Sequence, residues 1–312
     1  MEYRVIAGHE DSSINSCGIL HTTNYMITGG GNDGLLKIHN IARDEPSVTL
    51  PKIHTRSINA IDIAADDESF ISASGDSIEL FDFVKHASVC HLANKPPNDS
   101  TSYLPLQHQI LDCKYLAPEL VISCGIDHHL NFFDLRQSGR SPHFAIDVGD
   151  DNLNSMDHAH NTIALGSSNG SLYLVDIRNQ KLICHKKHLP IVYVSNHGDS
   201  TLINYANGDV TLSSDKNRNV EPTINVGHSL HYKINSTLQD NVIISGTETG
   251  EVQFWRFNPY THSVARKLDL TITADSPEGK VLNVYTDRST HLIATAGDGR
   301  IHIWEKLLDY IT

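Results

Sequence analysis

The chain has 312 residues, 20 % of them charged and 39 % hydrophobic, with a formal net charge of −13. This composition suits a soluble globular protein, and no apolar run approaches the roughly 20 residues that span a bilayer. The acidic balance disfavours sequence-independent binding to nucleic acid or to anionic membrane, because both need a basic footprint.

The N-terminus has an acidic residue, Glu2, and no basic start followed by a long apolar core, so it does not read as a secretory signal. A cytoplasmic or nuclear protein is expected, in which the sequons at Asn98, Asn169 and Asn235 carry no weight. The cysteines Cys17, Cys90, Cys113, Cys124 and Cys184 are odd in number and lack Cys-x-x-Cys spacing. Buried free thiols in a reducing compartment fit them best.

The predicted elements begin with a strand over residues 2–7, which stands alone before the pair Gly8-His9. From there the chain repeats a three-strand pattern. A first semi-alternating run (SINSCGIL, SINAIDI, ILDCKYL, NSMDHA, IVYVSN, YKINSTL, KVLNVY) precedes a second run that closes in small residues, such as SFISASGD or NVIISGTETG. A polar turn follows, in which Gly, Asn and Asp tolerate the positive φ that tight hairpins require. Third runs then end the triplets at LLKIHN (35–40), SIELFD (77–82), HLNFFD (129–134), SLYLVD (171–176), DVTLSS (209–214), EVQFWR (251–256) and RIHIWE (300–305). Seven copies at a mean step of about 44 residues, most followed by an outer fourth run, predict a repeated β-meander. After Trp304 only EKLLDYIT remains, so residues 2–7 are expected to supply the last outer strand. The longest departure, residues 92–107 between the second and third copies, is rich in Pro, Asn and Ser. It reads either as a tolerated insertion or as a contact loop on a rigid frame.

The stretch Gly227 to Phe257 is the fullest copy, with Gly227-His228 ahead of the first run and Trp255 closing the third. This order resembles a WD repeat. The resemblance implies an all-β, seven-bladed WD-repeat β-propeller over residues 1–312, closed by the N-terminal strand joining the last blade. It also implies a hydrogen-bonded set of His, Ser or Thr, Asp and Trp in each blade. The first copy would use His9, Thr28 and Asp33, with His39 at the Trp position. The third would use His108, Ser123 and Asp127, with Phe133 there; the sixth, His228, Ser245 and Trp255, with Thr249 replacing Asp. Incomplete sets should recruit substitutes or water, because an unsatisfied buried polar group costs about 1–3 kcal/mol.

Within that family, His228, Tyr232, Lys233 and Ile234, together with Asp176-Ile177-Arg178, resemble the mitogen-activated protein kinase organiser family, that of WD repeat protein 83. Residues 110–135 resemble equally the mitotic checkpoint propeller called budding uninhibited by benzimidazoles protein three. The kinase-organiser resemblance implies a scaffold in kinase signalling or messenger-RNA splicing complexes.

Catalytic motifs find no support. Gly166-Ser167-Ser168-Asn169-Gly170 matches G-x-S-x-G but lies between two predicted strands, whereas a nucleophile elbow needs a strand-to-helix turn. The histidine pairs 128/129, 158/160, 185/188 and 228/231 fall in different copies and do not assemble the four ligands of a structural zinc site. Gly29-Gly30-Gly31 lacks the Lys-Ser/Thr of a phosphate loop. No enzyme activity, metal or cofactor is expected.

Protein binding is the expected chemistry. Arg136 and Arg178 follow the Asp residues that end the third runs of adjacent copies, with Arg140 and Lys181 close behind. They would either hold an acidic partner by bidentate contacts or pair with carboxylates of their own blades. Arg56, Asn152, His231 and Lys280 lie near the starts of first runs, where the opposite face would engage a peptide. The function expected is a non-catalytic scaffold assembling a multiprotein complex. The alternatives are a substrate receptor of a cullin ubiquitin ligase, since Phe-Asp-Leu-Arg and Val-Asp-Ile-Arg approximate such receptors' repeat endings, and a spindle-checkpoint or export-type peptide adaptor.

Overall fold

The computed structural model describes residues 2–9, 12–43, 45–94, 107–137, 139–149, 151–179, 181–186, 189–214, 221–227, 233–258, 263–273, 281–287, 292–297 and 299–305. Every regular element among them is a β-strand, and no helix among the described residues is long and apolar enough to cross a membrane. The chain opens with β1 (Glu2–Ala7). Three four-stranded antiparallel sheets follow in order: β2 (Ile14–Ile19), β3 (Tyr25–Gly30), β4 (Leu36–Asn40) and β5 (Val48–Thr49); β6 (Ile58–Ile63), β7 (Ser69–Ser74), β8 (Ser77–Asp82) and β9 (Ala87–Ala93); β10 (Ile110–Ala117), β11 (Leu120–Gly125), β12 (His129–Asp134) and β13 (Phe144–Asp147). Three more sheets hold β14 (Leu153–Ala159), β15 (Thr162–Ser167), β16 (Ser171–Asp176) and β17 (Lys181–Lys186); β18 (Ile191–Asn196), β19 (Ser200–Tyr205), β20 (Asp209–Ser214) and β21 (Thr223–Asn225); β22 (Ser236–Gln239), β23 (Val242–Gly246), β24 (Glu251–Asn258) and β25 (Ser263–Thr273). The chain then forms β26 (Val281–Asp287), β27 (Leu292–Gly297) and β28 (Arg300–Glu305).

The expected count of seven blades is corrected here. Among the described residues six blades are built from four consecutive strands, not seven; the remaining strands form a composite sheet in the order β1-β28-β27-β26. The reason is that the fourth position beside β28 is filled from the other end of the chain, with β1 running antiparallel from Glu2 opposite Glu305 to Ala7 opposite Arg300. The chain divides into two compact units, one of Gly8–Met156 and one of Asp157–Thr312 with Met1–Ala7.

The second strand of each sheet reads as a run of apolar and small residues because both of its faces are covered. β7 and β11 are buried over their last five positions. Small residues mark where sheets approach closely: a Cβ on Gly29 would lie 2.6 Å from Ile58 Cγ2, and one on Gly166 would lie 2.3 Å from Ile191 Cγ2. Outer strands such as β13 are mostly exposed, so they carry weaker patterning. In the first unit, one core cluster packs Leu20, Ile27 and Ile58 against Phe70 and Phe81, whose rings stack 4.9 Å apart as a cross-strand pair. In the second, Ala164, Leu174, Ile191, Val194 and Ile203 form a comparable cluster.

Polar bolts on the first strands link neighbouring sheets inside each unit. Ser16 Oγ accepts the Ile61 N–H at 2.9 Å, Asp62 accepts the Tyr115 N–H at 2.8 Å, and Asp112 accepts the Met156 N–H at 3.1 Å and the Ser155 hydroxyl at 3.0 Å. In the other unit Asp157 accepts the Asn196 N–H at 2.7 Å, and Asn235 Oδ1 accepts the Val284 N–H at 2.5 Å. These first-strand amides are not used up by the ladder, and a neighbouring side chain satisfies them.

Candidate functional site

Among the described residues, the first blade holds an arrangement that resembles catalytic machinery. Asp33 Oδ2 lies 2.6 Å from His9 Nδ1, His9 Nε2 lies 3.0 Å from Thr28 Oγ1, and Thr28 Oγ1 lies 2.8 Å from His39 Nε2. Donor bookkeeping fixes the direction: His9 Nδ1–H donates to the carboxylate, Thr28 donates to His9 Nε2, and His39 Nε2–H donates to Thr28. Thr28 is fully buried within the sheet, so its hydroxyl meets no substrate. The set stiffens the blade, with His39 standing where the resemblance puts a tryptophan.

Burial pushes the His39 imidazole down from its ordinary 6.5 to about 4, with the His9 and Lys37 charges adding to the effect. Burial likewise lowers His9 and His54. A histidine held neutral in the native state binds fewer protons than the unfolded chain between these values. The associated stability is complete above about pH 6.5 and is lost as pH falls toward 4. We expect a loss of about 2 kcal/mol from His39 between pH 7.5 and 4.5, read from urea midpoints. His39→Phe should flatten that dependence; an unchanged slope would place the acid sensitivity elsewhere.

The polar sets of the other blades diverge. In the second, His54 Nε2 lies 2.6 Å from Ser72 Oγ, while the buried Glu79 carboxylate pairs with His91 Nδ1 at 2.5 Å and Ser88 Oγ at 2.7 Å. In the fourth, Leu165 and Val175 occupy the Thr28 and His39 positions, and both are buried, so apolar packing replaces hydrogen bonds. His228 of the sixth lies outside the described residues.

The third blade corrects the expected role of His108. Asn94, directly after the outer strand β9, does the bridging: its Nδ2 donates to Asp127 Oδ2 at 2.9 Å and to the His108 carbonyl at 3.1 Å, and its Oδ1 accepts from Ser123 at 3.3 Å. Asn94 is 1 % exposed, whereas His108 is only half-buried. Spacing carried the signal. His9 precedes its first strand at Ile14 and His54 precedes Ile58, but His108 stands two residues before Ile110, too close to reach back under the sheet. The insertion enters after the bridging position, so residues 95–106 of the 92–107 loop follow Asn94 and lie outside the described residues.

The G-x-S-x-G segment is a hairpin turn between β15 and β16, in which Ser171 N–H donates to Ser167 Oγ at 3.0 Å and to Asn169 Oδ1 at 2.9 Å. Among the described residues no group of three or more His, Cys, Asp or Glu side chains is placed to hold a metal. All five cysteines are free; Cys17, Cys113 and Cys124 are buried, but Cys184 is exposed and Cys90 half-buried, against the expectation of burial throughout.

Of the expected binding residues, Arg56, Arg136, Arg140, Asn152 and Arg178 lie outside the strands. Arg136 follows β12 and chelates Asp134, Nε to Oδ1 at 2.9 Å and Nη2 to Oδ2 at 2.8 Å, with Glu119 3.2 Å from Nε. The guanidinium holds the Asp134 carboxyl well below the usual carboxylate range. Arg136 is therefore paired within its own blade, the second of the two readings of this cluster. Arg178 sits after β16 in the other unit, and there Asn179 Nδ2 takes the free oxygen of Asp176 at 2.8 Å while Arg178 gives only its N–H, at 2.9 Å. The Arg178 side chain is exposed and forms no ion pair among the described residues. Lys181, also exposed, opens β17 opposite Asp176. Exposed Arg140 lends its carbonyl to the Ala93 N–H at 2.7 Å, and exposed Arg56 lends its own to Ser74 Oγ at 3.1 Å. Asn152 is half-buried beside Asp151, to which its N–H donates at 2.8 Å. His231 and Lys280 lie outside the described residues.

A small cavity of about 30 Å³ lies between the sheets β18–β21 and β22–β25, where the turns after β19 and β23 meet the start of the sixth blade. Sequence reasoning did not find it, because its lining comes from several separate stretches.

Residues 2–40 match the family model of the WD domain, G-beta repeat. The matched stretch holds β1 to β4, so the sequence repeat is staggered against the sheets: it begins with the outer strand of one and continues with three strands of the next. No curated protein matches the chain in a sequence comparison. The matched repeat and the four-stranded meander sheets support a WD-repeat β-propeller. Residues 2–40 are the part of the chain on which that assignment rests.

Proposed function

We propose that this protein is a non-catalytic scaffold or adaptor that binds proteins or peptides and assembles a multiprotein complex. WD-repeat propellers are in general interaction domains. One observation supports the reading here most directly: the polar groups that could do chemistry, His9, Thr28 and Asp33, are consumed in stiffening a blade, while exposed charges sit on turns of rigid sheets. The complex would be of the kinase-signalling or splicing type implied by Lys233-Ile234 and Asp176-Ile177-Arg178, in the cytoplasm or nucleus.

Affinity purification with mass spectrometry from native cells tests this reading. Recovery of a kinase module or of splicing proteins is expected, and recovery of no stoichiometric protein partner would overturn it. Of the arginines, Arg178 is the better candidate for a partner contact, since Arg136 is already chelated by Asp134. Arg178→Ala is expected to reduce partner recovery several-fold and Arg136→Ala less; the reverse order would place the contact in the other unit.

A further inference from the structure

Between Asp176 and Asp199 the sequence holds Arg178, Lys181, Lys186 and Lys187 and no acidic residue, in a chain whose formal net charge is −13. Arg178 lies in the turn after β16, and Lys181 and Lys186 belong to the outer strand β17. That strand is six residues long and pairs only with β16 among the described strands, so alternate residues turn their N–H and C=O groups away from the sheet. The outer strands β5, β21 and β13, of two, three and four residues, offer shorter edges.

The two faces of β17 differ. Ile183 packs with Leu172 and Leu174 on a core cluster, and strand alternation puts Lys181 and His185 on that same face. Leu182 and Cys184 lie on the other, and both are exposed, Leu182 by 38 %. Neither Arg178 nor Lys181 has a side-chain ion pair among the described residues. Asp176 stands opposite Lys181 in the ladder, but its carboxylate accepts the Arg178 and Asn179 N–H groups and the Asn179 side-chain amide. The edge thus combines open main-chain groups, positive charge and an exposed apolar side chain. Lysine on an edge repels a second copy of the same strand, because pairing would bring like charges together. The same charges attract a strand of opposite sign.

We propose that the open edge of β17 receives an extended acidic segment of a partner protein as a fifth strand. Main-chain hydrogen bonds supply the affinity, and the alternating side chains supply the selection. The segment alternates carboxylate and apolar residues. Its carboxylates stand on the face of Lys181, and its apolar side chains cover Leu182 and Cys184 on the other. Arg178, exposed in the turn before β17, extends the basic track at one end. The inference rests on the scaffold reading for the source of the segment, but its test uses the isolated protein and synthetic peptides. Failure here would leave the purification result standing, and the converse also holds.

The experiment titrates two capped hexapeptides, one alternating glutamate and valine and one alternating lysine and valine, into the isotope-labelled full chain. The backbone amides of Lys181–Lys186 are followed. The expected result is a saturable shift with the glutamate peptide at a dissociation constant of about 0.1–1 mM, as befits a contact of small area. The lysine peptide is expected to bind at least about tenfold more weakly, the scale set by a few cross-strand charge pairs changing sign. Methylating the backbone nitrogens of the glutamate peptide keeps its charge and removes its main-chain donors, and should weaken it by at least about tenfold as well. Arg178→Glu with Lys181→Glu should reverse the preference between the two peptides. Equal binding of the two peptides, equal binding of the methylated one, or no saturable shift along β17 overturns the proposal on the wild-type protein even where the double variant fails to fold. An unchanged preference in a folded double variant overturns it too.

Discussion

Asn94→Ala is expected to destabilise the protein by about 2–4 kcal/mol, more than His108→Ala does. Removing the Asn94 amide strands the Ser123 hydroxyl, which is fully buried, and withdraws one of the two amide donors that Asp127 Oδ2 receives, the other being Asn131 at 2.8 Å. His108 meets Asn94 through its backbone carbonyl, which alanine keeps. Urea unfolding of both variants reads the contrast directly. Equal losses would return the bridging role to His108 and put the insertion on the wrong side of it. Asn94→His is informative as well: if the position is the general histidine site, an imidazole should recover part of the loss.

Asp112→Ala is expected to cost about 3 kcal/mol. The Asp112 carboxylate is 5 % exposed and accepts from the Met156 N–H and the Ser155 hydroxyl. Losing these two hydrogen bonds and a third from the Cys113 N–H at 3.0 Å, and leaving buried N–H groups behind, would cost more than that taken alone. Relief of the desolvation of a buried carboxylate offsets part of it. Asp112→Asn keeps one acceptor oxygen and should fall between alanine and wild type. Hydrogen exchange at Met156 gives a second readout, because that amide loses its only described side-chain acceptor. Protection unchanged at Met156 would show that the Asp112 carboxylate is not what shields this amide.

Much of this architecture was legible in the sequence, for a physical reason. Strands buried on both faces must be apolar or small along their length, and hairpins with positive φ at Gly170, Gly208 and Gly250 must carry glycine. Six of the triplets therefore appear as contiguous four-stranded sheets, each with its outer strand in sequence. What could not be read is what depends on side chains from distant segments. The exchange of His108 for Asn94 required knowing where β9 ends under the sheet, since both residues are plausible polar bridges by type alone. Arg136 carried two readings that residue identity cannot separate, because Asp134 lies two positions before it and Asp176 stands in the same relation to Arg178. The two carboxylates nevertheless find different partners, since Asn179 competes for Asp176 whereas the residue in its place after Asp134 is Gln137. The leftover Asn204 Oδ1 is likewise visible only once the Ile234 carbonyl and Ser236 Oγ are in place to take the amide N–H groups.

The pairing of β1 with β28 has a consequence for how the chain acquires its structure. The partners Ala7 and Arg300 are separated by nearly the whole sequence, so this ladder carries the largest loop-closure entropy in the molecule. During synthesis β1 leaves the ribosome long before β28 exists, and its backbone groups must stay hydrated or find the edge of another molecule meanwhile. Contacts of such separation form late, so this ladder is placed at the slow end of folding. Crowded, rapid expression is thus the condition under which two copies would exchange first strands and emerge as an entangled dimer instead of two monomers.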